Sequence, residues 1–189
     1  VACMAALGHE VVAMDVDADK IRLLQEGGVP IYEPGLAELM AANRERIEFT
    51  SERAGAYRAG EFIFLCVDTP PTASGDADLS RIWQAIADLP PDAGAHVLVT
   101  KSTVPVGTGA LVQVQLAERG YDHIGYASNP EFLREGTAID DFMHADRVVV
   151  GSDDPAVAAR VAGLYEKLDR PVLLTDVASA EMIKYASNA

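Results

Sequence analysis

Short apolar runs rich in β-branched residues alternate with segments of helical spacing along the whole of this chain. No other feature narrows its possible folds as much. The runs are Glu10 to Asp15, Phe62 to Val67, Val97 to Thr100, His123 to Ala127, Arg147 to Gly151 and Pro171 to Thr175. Between them lie helix patterns. One starts at Asp17 and stops at Gly27-Gly28, and one follows Pro34 with Leu36, Leu39 and Met40 in register. Another carries Leu79, Ile82, Trp83, Ile86 and Leu89. Thr108 can cap a helix that Gly120 ends. Asp154-Pro155 opens one striped by Val157, Val161, Leu164 and Leu168, and a last one begins near Ser179. Continuous apolar strands are covered on both faces, and strands alternating with helices give a parallel sheet. The fold expected is therefore α/β, a doubly wound parallel sheet with helices on both faces. In such sheets ligands bind just beyond the carboxyl ends of the strands.

Composition sets limits on partners. The chain has 189 residues and a formal net charge of −14, with 49% hydrophobic residues. So acidic a surface repels phosphate backbones, so no nucleic acid and no anionic membrane is expected as a partner. No apolar run reaches the ~20 residues of a membrane-spanning helix. Cys3 and Cys66 give no disulfide framework, and the four histidines show no ligand spacing, so no metal is expected. A cytoplasmic setting fits. Val1 to Leu7, closed by Gly8, reads as the tail of a helix whose beginning is missing.

The residues just after each strand are the candidates for chemistry. Asp15 closes the first run, where a carboxylate can accept both hydroxyls of an adenosine ribose. Val16 follows it rather than an Arg, which favours NAD over NADP. The plainer reading is an ordinary acidic strand end. Val67-Asp-Thr-Pro-Pro71 and Lys101-Ser-Thr-Val-Pro-Val-Gly-Thr108 each follow a strand. They place Thr69, Ser102 and Thr103 at the sheet edge, or else they are stiff loops. Glu131 and Glu135 are four apart and would share a helix face, which suits general acid/base work or merely a solvated surface. Lys184 and Asn188 share the same spacing and could stabilise an oxyanion, or lie on the outside of an amphipathic helix. Cys66, inside an apolar strand, should be an inert core residue.

Six runs taken in order resemble the UDP-glucose/GDP-mannose dehydrogenase family. They are Gly8 to Asp17, Pro30 to Leu36, Val67 to Pro71, Lys101 to Thr108, Ser128 to Gly136 and Ser179 to Asn188. The resemblance implies a Rossmann-like domain over residues 1–176 whose first strand and Gly-rich loop are missing. Residues 177–189 would then begin a central helix leading to the substrate and dimerisation half. It implies oxidation of a sugar C6 alcohol to a carboxylate by two hydride transfers to NAD, through a cysteine-bound intermediate, in a homodimer. By position, Asp15 and Lys20 would hold the adenosine end of NAD, with Thr69, Ser102, Thr103 and Glu135 further along the cofactor. Glu131 would be the general acid/base, Lys184 would steady the oxyanion, and Asn188 would bind near the same centre. Thr103 would help place the hydrolytic water. Glu131, Phe132, Leu133, Arg134, Lys184 and Asn188 would line the substrate. The nucleophilic cysteine would lie outside this chain, so the chain alone should be inactive. Residues 129–142 with Asp146-Arg147 look most like the enzymes that convert UDP-glucose to UDP-glucuronate for polysaccharide biosynthesis. GDP-mannose and UDP-N-acetyl-hexosamine 6-dehydrogenases are the alternatives. A binding-only domain is a further alternative if the native chain truly lacks the cysteine half.

Overall fold

The computed structural model describes residues 1–94 and 96–188, with Asn188 described in its backbone only. Along the chain run α1 (Ala2–Ala6), β1 (Val11–Met14), α2 (Ala18–Gln25), α3 (Leu36–Ala42), β2 (Ile47–Thr50), α4 (Arg53–Ala59) and β3 (Phe62–Leu65). There follow α5 (Ser80–Ala87), β4 (Val97–Thr100), α6 (Thr108–Glu118), β5 (Gly125–Ser128), α7 (Ala138–Met143) and β6 (Val148–Gly151). The last elements are α8 (Pro155–Gly163), β7 (Val172–Thr175) and α9 (Val177–Asn188). The chain divides into two compact units. One is Val1–Gly60 with Leu133–Ala145, and the other is Glu61–Phe132 with Asp146–Ala189.

In the first unit β1 and β2 pair in parallel, Val11 opposite Ile47. Ala5, Ile21, Ile47 and Phe49 form the core, with Val11, Ala13, Leu24 and Met40 packed against it. The Asp17 carboxylate caps α2 by accepting from the amides of Asp19 and Lys20. Gly27 ends the same helix at φ 88°, a left-handed position that a Cβ disfavours. The Glu33 carboxylate accepts from the amides of Gly136 and Ala138 and so anchors the start of α7. Strand β2 is absent from the sequence expectation: Ile47 and Phe49 point inward while Glu48 faces solvent, too short an alternation to stand out.

In the second unit the strand order is β3-β4-β5-β6-β7. Every neighbouring pair is parallel except β5 and β6, which meet antiparallel at Ser128 and Gly151. The departure from an all-parallel sheet has a local cause. Between β5 and β6 the chain leaves for the other unit, so no crossover helix of this unit intervenes to return it in the same direction. β4 and β6 are buried along their whole length, as continuous Val/Leu runs require. Ile82, Ile86, Val97, Leu98, Val99, Val112, Val149 and Val150 are closed from solvent. Each contributes roughly 1.5–3 kcal/mol by burial.

The start of α6 differs from expectation. Gly107, at φ 97°, is the N-cap, and the Thr108 hydroxyl donates to the Pro105 carbonyl instead of capping. The capping acceptor comes from another helix. The Glu181 carboxylate on α9, only 2% exposed, accepts from the amides of Gly107 and Gly109 at 2.7 Å each. Two orphan donors of α6 are thereby satisfied and α9 is tied to it.

Candidate active site

Because β3, β4 and β5 are parallel, their carboxyl ends share one edge. The residues that follow them are stitched together. The Leu65 carbonyl accepts from the amides of Lys101 and Ser102, and the Asn129 amide donates to the Thr100 carbonyl. The Ser102 hydroxyl donates to the Val67 carbonyl at 2.5 Å, and the Thr69 hydroxyl donates to the Thr103 carbonyl at 2.7 Å. Both hydroxyl protons are thus engaged in holding the two loops together, and what the oxygens keep is acceptor capacity.

At this edge stands an ion pair. Lys184 Nζ on α9 lies 3.0 Å from Glu131 Oε1, with the lysine side chain 7% exposed and the carboxylate side chain 30% exposed. The Phe132 ring carries Lys184 Nζ 5.5 Å and the Arg147 guanidinium 5.7 Å from its centroid. A carboxylate and an ammonium side by side can respectively move a proton and stabilise a negative oxygen.

Beneath the pair lies a second cation. Lys101 Nζ reaches both oxygens of Asn129, at 3.3 Å for Oδ1 and 3.4 Å for the carbonyl, and sits 5.9 Å from the Tyr165 ring centroid. Burial lowers its pKa from 10.5 to about 8; Cys66 and Glu131 oppose the fall and Lys184 adds to it. Asn129 is 1% exposed. Its Nδ2 donates to the Val149 carbonyl at 2.8 Å, and its Oδ1 also accepts from the Tyr165 hydroxyl. Burial pushes Tyr165 well above the usual tyrosine range, so it stays a neutral donor.

The first unit holds the remaining candidates. Asp15 follows β1, with its carboxylate 2.6 Å from Lys20 Nζ and 3.0 Å from the Asp17 amide. Burial alone would raise the Asp15 carboxyl, but the hydrogen bond from Lys20 and the Asp17 amide outweigh it and hold the group below the usual carboxylate range. Sequence separation of five residues on either side of a helix start therefore becomes a direct contact. Arg134 does not stand free: its guanidinium and its amide both bond to the Asp141 carboxylate, which is held far below the usual range. Leu133 and Glu135 are exposed in the same unit.

Three expectations are corrected. Glu131 and Glu135 do not share a helix face. Residues 131–134 are not helical, and the two belong to different compact units. The backbone there finds other partners, since Asn129 continues the β4 ladder and the Arg134 amide goes to Asp141. Cys66 is not a core residue: β3 ends at Leu65, and Cys66 is exposed at the loop start. Protein atoms crowding its thiol nevertheless raise its pKa, with Lys101 pulling the other way. Thr108 is not a cap, as described above. The Asn188 side chain lies outside the described residues; its backbone completes α9.

Sequence reasoning missed Lys101, Asn129, Glu181 and Tyr165. Lys101 and Asn129 directly follow strands, so the strand-end rule could have found them. Nothing in the chain order signals that Tyr165 or Glu181 reaches back to the sheet edge or to α6.

Comparison with known proteins bears on this geometry. UDP-glucose 6-dehydrogenase TuaD of Bacillus subtilis (strain 168) is 46% identical over 99% of this chain and 42% of its own length. The solved UDP-glucose dehydrogenase of Pyrobaculum islandicum superposes with a TM-score of 0.93 at 38% identity, over 99% of this chain and 45% of that one. GDP-mannose dehydrogenase of Pseudomonas aeruginosa, solved as a ternary complex, gives 0.92 at 35% identity, again over 99% and 45%. The chain thus spans less than half the length of these relatives. Residues 1–169 match the NAD binding domain of the UDP-glucose/GDP-mannose dehydrogenase family, and the chain belongs to that family.

Proposed function

We propose that the protein oxidises the C6 alcohol of a nucleotide sugar, UDP-glucose, to the carboxylate, with this chain supplying the cofactor domain and part of the active site. The observation that carries this reading is the Glu131–Lys184 pair at the carboxyl edge of the sheet. The similarity of 46% to a UDP-glucose 6-dehydrogenase favours that sugar over GDP-mannose.

The residues present fit the cofactor of the family. Asp15 offers an ionised, partly exposed carboxylate at a strand end, the acceptor that a ribose diol needs. Lys20 holds that carboxylate in place, and Thr69, Ser102, Thr103 and Glu135 would contact the cofactor further along. NAD, when bound, supplies the hydride acceptor. Glu131 takes the proton from the sugar hydroxyl and later from the hydrolytic water, which Thr103 helps to place. Lys184 holds the oxygen that turns negative in each step, and its low exposure strengthens that attraction. Phe132 excludes water from one side of the ammonium and, with Leu133 and Arg134, lines the sugar. Asn188 binds at the same centre, and α9 continues as the central helix toward a substrate half that provides the nucleophilic cysteine.

The test is turnover by the full-length native protein on UDP-glucose, GDP-mannose and UDP-N-acetyl-hexosamines, counting NADH formed. The reading expects two NADH per UDP-glucose and none from the 189-residue chain alone. No turnover of any nucleotide sugar would leave a binding-only domain.

A further inference from the structure

We propose that Lys101 is a positioning residue for the Glu131–Lys184 pair: its ammonium pins Asn129, from which the Glu131 segment springs, and sets a second positive charge beside the pair. The inference rests on the dehydrogenase reading for its consequence, but not for its geometry.

Asn129 is the hinge of this arrangement. Its amide continues the β4 ladder, its Nδ2 is fixed to the Val149 carbonyl, and its Oδ1 takes both the Tyr165 hydroxyl and Lys101 Nζ. Lys101 also holds the Asn129 carbonyl, so both oxygens of the residue two positions before Glu131 answer to one ammonium. The side chains facing Lys101 come from every element around it. They are Cys66 after β3, Asn129 and Glu131 after β5, Tyr165 after α8, and Lys184 on α9. Of these, Cys66 and Glu131 favour the charged form of Lys101, Lys184 disfavours it, and neutral Tyr165 presents its ring face to it.

A lysine is a costly choice for this place. Methionine would fill similar volume without burying a charge. What the lysine supplies and methionine cannot is a positive charge coupled to Glu131 and Lys184 together with a donor for Asn129. Lys101 titrates at about 8, so that support weakens as pH rises through this value. The carboxylate and ammonium of the pair then lose a fixed neighbour while their own contact remains.

The experiment has two arms on the native full-length protein. In the first, ε-13C lysine is incorporated and the Lys101 ε-carbon, assigned from Lys101→Arg, is titrated by NMR. It should titrate near 8, lower in Glu131→Gln, which removes a negative neighbour, and higher in Lys184→Met, which removes a positive one. In the second, kcat/KM for the nucleotide sugar is followed from pH 6.5 to 9.5, a range that brackets about 8. The wild type should decline above about 8. Lys101→Met should lower kcat about tenfold, leave the KM for NAD unchanged and abolish that inflection. Lys101→Arg, charged throughout, should restore kcat and carry activity to higher pH. A Lys101 resonance indifferent to both partner variants overturns the proposal, as does a Lys101→Met enzyme with wild-type kcat and pH profile. If no nucleotide sugar is oxidised, the dehydrogenase reading fails and the first arm still decides the coupling.

Discussion

Replacing Lys101 by Met should make the protein more stable at neutral pH, and the size of the gain follows from the site. The side chain carries its charge among Asn129, Tyr165 and the Glu131–Lys184 pair, where burial lowers its pKa from 10.5 to about 8. At about 1.4 kcal/mol for each pH unit, the buried charge costs about 3 kcal/mol of folding stability. The sign is fixed by linkage. Below pH 8 the lysine is protonated in both states and the folded chain bears the full cost. Between about 8 and 10.5 the folded chain has lost a proton that the unfolded chain keeps, so this group makes stability rise with pH. Methionine removes the charge but also the donor to Asn129, whose Oδ1 keeps the Tyr165 hydroxyl; that loss costs about 1 kcal/mol. Lys101→Met should therefore gain about 2 kcal/mol at pH 7 and be about 1 kcal/mol less stable than wild type near pH 10.5. Urea unfolding of both proteins at pH 7, 9 and 10.5 measures it. A difference that stays constant across that range, or a variant clearly weaker at pH 7, would refute the reasoning.

Other outcomes can be checked in the same protein. Glu181→Ala leaves the buried amide of Gly109 and the partly buried amide of Gly107 without their acceptor and should cost about 2–3 kcal/mol in urea unfolding. Asp15→Asn should weaken NAD binding about tenfold by calorimetry and narrow the preference over NADP, because the neutral amide no longer repels a 2′-phosphate. Glu131→Gln should lower kcat of the full-length protein by about 10²–10⁴ at unchanged KM for NAD, read by NADH absorbance. Asn129→Ala removes the side-chain bonds to Val149, Tyr165 and Lys101 together, and should destabilise by about 2–3 kcal/mol in the same unfolding assay.

Which features could be read from the chain depended on how local their causes are. β4 and β6 announce themselves because burial on both faces demands unbroken apolar runs, and β3 is as continuous although Phe62 and Phe64 keep some exposure. The α2 and α8 starts are legible because Asp17 and Asp154 cap within three residues. β2 was invisible because four residues with one inward pair carry little periodicity. The antiparallel step from β5 to β6 was hidden because it depends on residues 133–145 joining the other unit, which no spacing encodes. The same holds at the site. Lys20 meeting Asp15 is a local consequence of the strand–helix turn, whereas Glu181 capping α6 and Tyr165 reaching Asn129 join residues far apart in the chain. The expected Glu131/Glu135 helix failed for a related reason. A four-residue spacing forms a face only if the backbone closes its own hydrogen bonds, and here the Asp141 carboxylate claims the Arg134 amide first.

The most direct test of the central claim is the stoichiometry of NADH released by the full-length native protein from limiting UDP-glucose, with the product identified by mass spectrometry. The account expects two NADH for each sugar and UDP-glucuronate as the product, abolished by Lys184→Met. A single NADH with an aldehyde product, or no reaction with any nucleotide sugar while NAD still binds, would contradict it.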